Sequence, residues 1–284
     1  MEKKIEIAHF TDPLCFWCYA MEPEIRKMRV VLDDYLDYRI VMGVLSSDVS
    51  EFFGPDAESE LRYEFFRMTM ADHLTQAAKV IGMPFSTERL FSGKPQDMVS
   101  LPLCLAYCAM KMTDENYAEA DLRRMREYVF AEGRALSRLD DQVKLASEFP
   151  VDVEQFRSNL ESEDVAGVLQ EGIDECQEYG VTMFPSLLMS YGETCIMVGG
   201  YVGYDGLKQA VAQLTDGEIT LSEAEYSFGA LESFVQRFSK VVAREVQVMF
   251  SFNDDQLSNA VMDLVSTGRY KTQSCGSSYF VVPA

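Results

Sequence analysis

The stretch DPLCFWCY, residues 12–19, constrains the fold of this sequence more than any other segment. It follows KIEIAHF at 4–10, where apolar and polar side chains alternate with the period of a β-strand. Helical periodicity begins at about Cys15 and extends to Leu36. The next run, YRIVMGVL at 38–45, is nearly all apolar, which is typical of a buried central strand. This order predicts a right-handed β-α-β unit with a parallel strand pair.

Cys15 and Cys18 lie where the predicted strand gives way to the predicted helix. The first turn of a helix has unpaired N–H groups and the positive end of the dipole, and both lower the pKa of a thiol there. Because two residues separate the cysteines, they lie one turn apart, within reach of a shared disulfide. The pattern predicts a redox pair in which Cys15 is the nucleophile near the surface and Cys18 is the deeper, resolving thiol.

A zinc site and a pair of inert core thiols are the alternative interpretations of these two cysteines. A structural zinc site usually needs four ligands. The sequence offers only Cys104 and Cys108, spaced four apart in an apolar helix, and the histidines His9 and His73. Inert thiols are common among isolated cysteines but less expected directly after a strand in a β-α-β unit. The redox interpretation is favoured over both, and neither a metal nor another cofactor is predicted.

A second signal for thiol chemistry lies in VTMFPSLL, residues 181–188. Pro185 stands at the entrance of a predicted strand, where a proline would remove a ladder hydrogen bond. A cis peptide bond between Phe184 and Pro185 resolves this conflict and leaves the preceding backbone free to pair with an extended peptide. An ordinary proline at a strand start is the alternative.

The remaining chain divides into three segments by pattern. Helical periodicity dominates from about residue 58 to 179, which predicts an insertion of four or more helices. A hairpin turning at Gly192 and a helix over 205–214 follow. Residues 218–284 are predicted to form three helices and a hairpin turning at 275–277, which is typical of a small winged-helix-like module.

The charge of the chain excludes some partners. A net charge of −21, from 46 acidic and 25 basic residues, repels phosphate backbones and anionic membranes. The C-terminal segment is itself acidic, so neither nucleic acid nor a membrane is a predicted partner. A protein–protein or homodimer contact is predicted for this module instead. The N-terminal MEKKIEIAHF has no apolar segment typical of a secretory signal, and the expected location is the cytoplasm.

Taken in order, these features resemble the thioredoxin superfamily, and the insertion is similar to that of its DsbA-like branch. The resemblance is narrower to the FrnE-like group of DsbA-family proteins and covers residues 4–215. It is carried by five stretches, DPLCFWCY, MVSLPLCLAYCA, YVFAEGRALSRLDDQVKLASEFPVD, GIDECQEYGVTMFPSLL and VGGYVGYDGLKQAV. We therefore expect an α/β, thioredoxin-like fold with an α-helical insertion and a small C-terminal winged-helix-like module. The expected ranges are 1–57 with 178–217 for the thioredoxin-like domain, 58–177 for the insertion and 218–284 for the module.

The resemblance implies a dithiol–disulfide oxidoreductase that acts on protein or small-molecule disulfides. In this role Cys15 attacks, Cys18 resolves, and Pro185 is the cis-proline opposite the pair. Four residues would form the substrate-binding surface: Phe16, Trp17, Phe184 and Pro185. The FrnE-like group commonly has proline where this chain has Phe16, so the direction of electron flow is not assigned.

Relatives in the same branch leave two further functions open. Kappa-type glutathione transferases and hydroxychromene-carboxylate isomerases share the insertion but use a serine or a single nucleophile with glutathione. Glutathione is therefore a candidate partner, although the two cysteines favour a dithiol enzyme. Some cytoplasmic DsbA-like proteins are non-enzymatic adaptors that deliver a client to a protease, and an acidic surface with an extra C-terminal module would suit that role.

Overall fold

The computed structural model describes residues 3–53, 60–88, 92–276 and 278–284. Within these residues, no helix is both long enough and apolar enough to cross a membrane. The elements of the first half, in chain order, are β1 (Ile5–Thr11), α1 (Phe16–Ala20), α2 (Glu22–Leu32), β2 (Leu36–Met42), α3 (Ser50–Phe53), α4 (Glu60–Ile81), α5 (Leu101–Thr113), α6 (Glu115–Arg126), α7 (Leu139–Ala146), α8 (Val153–Leu160) and α9 (Asp164–Glu178).

The elements of the second half include two hairpins. They are β3 (Ser186–Tyr191), β4 (Thr194–Gly199), α10 (Tyr204–Leu214), α11 (Phe228–Phe238), β5 (Val241–Val242), α12 (Ala243–Phe250), α13 (Asp254–Ser266), β6 (Tyr270–Cys275) and β7 (Ser278–Pro283). The first sheet has the strand order β2-β1-β3-β4 and the second has the order β5-β7-β6.

The first sheet confirms the predicted β-α-β start, because β1 and β2 are parallel. Strands β3 and β4 form the predicted hairpin, with Gly192 at a φ of 63° in its turn. The prediction of a central position for the second strand is wrong, since β2 lies at the edge and β1 is central. Its apolar side chains are explained by α9, which packs so closely on β2 that a Cβ on Gly172 would clash with the carbonyl oxygen of Met42.

A helical insertion separates β2 from β3, as predicted, and α4 to α9 are its α-helices in the described part of the chain. The predicted helix from Cys15 to Leu36 is interrupted at Met21, between α1 and α2. The largest apolar cluster joins side chains of α1, such as Phe16 and Tyr19, to the helices of the insertion. The helix that follows the cysteine pair is therefore covered by the insertion.

The C-terminal segment has the helix, strand, helix, helix and hairpin order of a winged-helix-like module, with an apolar cluster of its own. The short strand β5 was not predicted. Ser277, in the predicted hairpin turn, and the predicted boundary at 57/58 lie outside the described residues. The boundaries at 177/178 and 217/218 stay predictions.

Buried ion pairs attach this module to the rest of the chain. Glu245, on α12, is fully buried and accepts hydrogen bonds from Arg26 and Arg123, each at 3.0 Å. Arg123 belongs to α6 and also binds Glu22 of α2 and Glu127. Charged side chains on α2 are therefore buried by partners from the insertion and the module.

Replacing Glu245 with alanine is expected to destabilise the protein strongly, because Arg26 and Arg123 would lose a buried carboxylate. Removing one partner of a buried ion pair costs about 3–5 kcal/mol. Urea unfolding measures this loss. In the control Asp205→Ala, the removed carboxylate is 91% exposed, and the change should stay below about 1 kcal/mol. Equal stability of the two variants would contradict the expectation.

Candidate active site

The buried Asp12 carboxyl shapes the turn that carries the cysteine pair. Its Oδ1 accepts the Leu14 N–H at 2.7 Å, and its Oδ2 accepts the Leu45 N–H at 2.7 Å. Burial raises the pKa of Asp12, while hydrogen bonds from Ser100 and these two amides act in the opposite direction. The side chain thus joins the end of β1 to the segment after β2.

Cys15 is the N-cap of α1, and its Sγ accepts the backbone N–H of Cys18 at 3.3 Å. Both residues are free thiols. Cys15 is 5% exposed and Cys18 is fully buried. The predicted placement at a helix start, with Cys18 the deeper residue, is confirmed, and their chemical roles stay predictions.

The segment around Pro185 closes on the pair from the other side. The Phe184–Pro185 peptide bond is cis, as predicted. The carbonyl oxygen of Phe184 lies 3.4 Å from the Sγ of Cys15, although 169 positions separate them in the sequence. Gly43 leaves room for the Phe184 ring, since a Cβ there would lie 2.2 Å from the ring's Cζ.

The two residues between the cysteines face different surroundings. Phe16 is buried and packs edge-on against Phe85 and Phe130, with ring centroids 5.5 and 5.7 Å away. This packing puts the Phe16 ring in the core, which corrects the prediction that Phe16 belongs to the substrate-binding surface. Trp17 is partly exposed and contacts the ring of Tyr201 at 5.9 Å, so a substrate contact for Trp17 stays a prediction.

Arg126 is a member of the site that sequence reasoning missed. It is 3% exposed and lies at the end of α6, in the insertion. Its Nη2 donates to Thr11 Oγ1 at 2.5 Å and to the Asp12 carbonyl at 3.3 Å, and its Nη1 donates to Glu22 at 2.7 Å. The one local signal was its spacing, four residues before the buried Phe130, on the same helical face.

A hydrogen bond between the two thiols makes the pKa of each cysteine depend on the other. Burial acts to raise the pKa of Cys18, but the hydrogen bond from Cys15, the charge of Arg126 and a hydrogen bond from Thr11 together lower it. The hydrogen bond to Cys18 and burial raise the pKa of Cys15. The hydrogen bond between the thiols therefore acts in opposite directions on the two pKa values, and the charge of Arg126 adds to the lowering at Cys18. The assignment of Cys15 as the nucleophile stays a prediction.

The sequence matches the thioredoxin family over residues 9–209. The chain belongs to this family. Among solved structures, it is similar to the cytosolic disulfide reductase DsbM from Pseudomonas aeruginosa, with a TM-score of 0.53 and 20% identity over 82% of this chain and 99% of that one. A candidate protein disulfide isomerase from Nitrosomonas europaea has a TM-score of 0.62 and 17% identity over 76% and 100%. The fold is the DsbA-like form of the thioredoxin fold, and the FrnE-like grouping stays a prediction.

Curated relatives of this thioredoxin-family chain are named ClpXP adapter protein SpxH. The protein from Halalkalibacterium halodurans is 24% identical over 270 residues, which cover 93% of this chain and 83% of the relative. The protein from Bacillus subtilis is 21% identical over 266 residues, covering 93% and 84%. The part of this chain that lies outside these alignments is shorter than the segment 218–284. The alignments therefore include at least part of the C-terminal module.

Two other reactive side chains near the cysteine pair, those of Cys104 and His9, are buried and neutral. The Sγ of Cys104 lies 3.3 Å from the Gly43 carbonyl oxygen, and burial raises the pKa of this thiol. Burial and the charge of Arg126 lower the pKa of His9 to about 3, and its Nδ1 pairs with the Tyr38 hydroxyl at 2.6 Å. In the described part of the chain, no group of three His, Cys, Asp or Glu side chains is placed to hold a metal ion.

Replacing Gly43 with alanine is expected to displace the Phe184 ring and the carbonyl that faces Cys15. Overpacking of this kind costs about 1–3 kcal/mol, and the altered contact should slow the reaction of Cys15 with an aromatic disulfide. Urea unfolding and the reaction rate are the measurements. The control is Gly167→Ala, where a Cβ meets nothing within 4 Å. Wild-type stability and rate in Gly43→Ala would show that the ring tolerates the methyl group.

Proposed function

We propose that this chain is a dithiol–disulfide oxidoreductase that reacts through Cys15 and resolves through Cys18. The observation that carries the proposal is the geometry of Cys15 at the start of α1, where its Sγ accepts the backbone N–H of Cys18 at 3.3 Å and lies 3.4 Å from the Phe184 carbonyl oxygen. A reactive dithiol needs two sulfurs within bonding reach and a group that stabilises one negative charge. The pair and the nearby Arg126 provide both.

The reaction begins when the pair carries one negative charge. A proton that moves from Cys15 to Cys18 across their hydrogen bond puts the charge on Cys15, the residue with exposed surface. The Cys15 thiolate attacks a substrate disulfide, forms a mixed disulfide and releases one substrate thiolate, which takes up a proton. Cys18 then attacks Cys15, forms the intramolecular disulfide and releases the second substrate thiol. Two electrons pass to the substrate, and an external dithiol restores the reduced pair.

Trp17, Phe184 and Pro185 are the proposed substrate contacts. Trp17 and Phe184 are partly exposed beside Cys15, while Pro185 is buried beneath them and precedes β3. Protein disulfides and small-molecule disulfides, including that of glutathione, are candidate substrates for this surface. The cytoplasm stays the predicted location.

Cys15→Ser is expected to abolish reduction of insulin, because it removes the attacking sulfur. Cys18→Ser should instead accumulate a mixed disulfide on Cys15, since the resolving thiol is missing. Turbidity of reduced insulin and intact-mass measurement give the two readouts. The control is Cys195→Ser, which removes an exposed thiol and should retain wild-type activity. Insulin reduction by Cys15→Ser at the wild-type rate would exclude the proposed chemistry.

A second candidate function, delivery of a client protein to a protease, is favoured by the curated relatives. Those proteins are named ClpXP adapters, and their similarity includes the C-terminal module. In this chain the buried Glu245 holds the module to the rest of the fold, and the proposed adaptor role assigns the client or protease contact to the module. Adaptor function requires binding surfaces but no thiol chemistry.

The double variant Cys15→Ala/Cys18→Ala separates the two functions. If the chain is an adaptor, this variant should accelerate degradation of its client by purified ClpXP as well as the wild-type chain does. Clients captured by the variant and identified by mass spectrometry are the substrates for this assay. If the chain accelerates the degradation of none of the captured clients, the adaptor role is excluded.

A further inference from the structure

We propose that a cavity between α2, the insertion and the C-terminal module binds the di- or triphosphate group of a small molecule. The cavity has a volume of about 600 Å³, within the range of roughly 300–1,000 Å³ that is usual for small-molecule sites. Its walls come from α2, from α6 and residues 148–149 of the insertion, and from residues 237–240 of the module. Neither the cysteine pair nor the Phe184 segment lines it, so the proposal depends on neither of the functions above.

The walls of this cavity concentrate positive charge in a strongly acidic chain. The whole chain has 25 basic and 46 acidic residues, yet basic side chains outnumber acidic ones in the walls by two to one. The acidic residues are Glu119, Glu127 and Glu148, and the basic residues are Arg26, Arg29, Arg123, Arg124, Arg237 and Lys240. A concave site lined mainly by one sign of charge attracts ions of the other sign. The overall charge, which disfavours an extended nucleic acid, therefore does not exclude a small anion here.

The two buried arginines of the walls keep their carboxylate partners. Arg123 pairs with Glu22, Glu127 and Glu245, and Arg26 pairs with Glu245 at 3.0 Å. Breaking such a pair leaves a buried charge without compensation, so a ligand does not displace these carboxylates. The buried pairs therefore fix the shape of the cavity, and the more exposed cations bind the ligand.

The more exposed arginines pair with carboxylates that can turn away into solvent. These pairs are Arg29–Glu119, Arg124–Glu148 and Arg237–Asp33, and their carboxylates are between 47% and 63% exposed. Ion pairs with exposed carboxylates are weak, because water solvates both partners well and ordering the side chains costs entropy. A phosphate group that contacts several of these arginines at once can therefore replace the carboxylates.

The identity of the cations favours phosphate as the ligand group. Five of the six lining cations are arginines, whose planar guanidinium donates two parallel hydrogen bonds to phosphate or carboxylate oxygens. Adjacent phosphate groups offer more acceptor oxygens than one carboxylate, so they satisfy more of these donors. Lys240 adds a point charge, and it shares its carboxylate partner Glu127 with Arg123.

Two aromatic rings in the walls bear on the source of the phosphate group. Tyr117 and Phe149 are partly exposed, and their ring centroids lie 6.1 Å apart. A di- or triphosphate comes either from a nucleotide or from inorganic polyphosphate. Aromatic side chains stack on nucleic-acid bases, so these rings would add affinity only for the nucleotide.

The test is isothermal titration calorimetry of the full chain with ATP, inorganic triphosphate and adenosine. Inorganic triphosphate and ATP are expected to bind, whereas adenosine, which has no phosphate, is not. Tighter binding of ATP than of triphosphate supports a nucleotide as the source, and equal binding supports polyphosphate. Raising the sodium chloride concentration from about 50 to about 200 mM should weaken binding, because salt screens the charges.

Variants of the walls locate the binding site. Arg124→Met and Arg237→Met should each weaken triphosphate binding about tenfold or more, the usual effect of losing a hydrogen bond between charged groups. Glu119→Gln should strengthen it, because Arg29 loses a competing carboxylate. The matched control is Arg39→Met, since Arg39 also pairs with a glutamate, Glu175, but lies on β2 outside the cavity. Its binding should be unchanged.

The proposal is overturned if neither ATP nor inorganic triphosphate binds, or if adenosine binds as tightly as ATP. It is also overturned if both arginine variants bind triphosphate like the wild type, or if Arg39→Met weakens binding as much as they do. A hexaglutamate peptide that binds more tightly than triphosphate would overturn the choice of phosphate. If Arg124→Met does not fold, Arg237→Met and Glu119→Gln decide the question, because both alter exposed ion pairs.

Discussion

A buried guanidinium, that of Arg123, holds the three parts of this molecule together. It belongs to the helical insertion and binds Glu22 beside the cysteine pair and Glu245 in the C-terminal module. Buried ion pairs lose much of their Coulomb energy to desolvation, so their contribution to net stability is small although the loss of one partner is costly. Their consequence here is geometric, since α2, α6 and α12 can bury these charges only in the observed arrangement.

Sequence reasoning succeeded where the signal is local. The strand before Asp12, the cysteine pair at a helix start, the cis Phe184–Pro185 bond and the hairpin at Gly192 each depend on a few neighbouring residues. It failed where the answer depends on packing from a distant element. The apolar run of β2 predicts a central strand because the covering helix α9 is remote in sequence. The predicted surface position of Phe16 is wrong because its partner Phe130 belongs to the insertion.

The ionisation of the cysteine pair likewise depends on a local effect, the helix dipole, and on a charge from a distant element, Arg126. The helix dipole, which led to the prediction of a lowered pKa at Cys15, is typically worth 0.3–1 kcal/mol (roughly) in exposed settings. An adjacent opposite charge shifts a pKa by about one to three units, or about 1.4–4 kcal/mol. The hydrogen bond from Cys15 and the charge of Arg126 both act to lower the pKa of Cys18. Because α1 is a helix of only five residues, its dipole is a smaller influence on the pair than these two interactions.

The two proposed functions, enzymatic and adaptor, depend on separate parts of the chain, but the electrostatics of these parts are not independent. Glu22 is shared by Arg126, which binds the segment leading into the cysteine pair, and Arg123, which binds Glu245 of the module. Within the described residues, Glu22 is the carboxylate partner of Arg126. Any stronger interaction between them comes at the expense of the interaction of Glu22 with Arg123. Through this shared carboxylate, three consecutive ion pairs connect Arg126, which binds the segment leading into the cysteine pair, to Glu245 of the module.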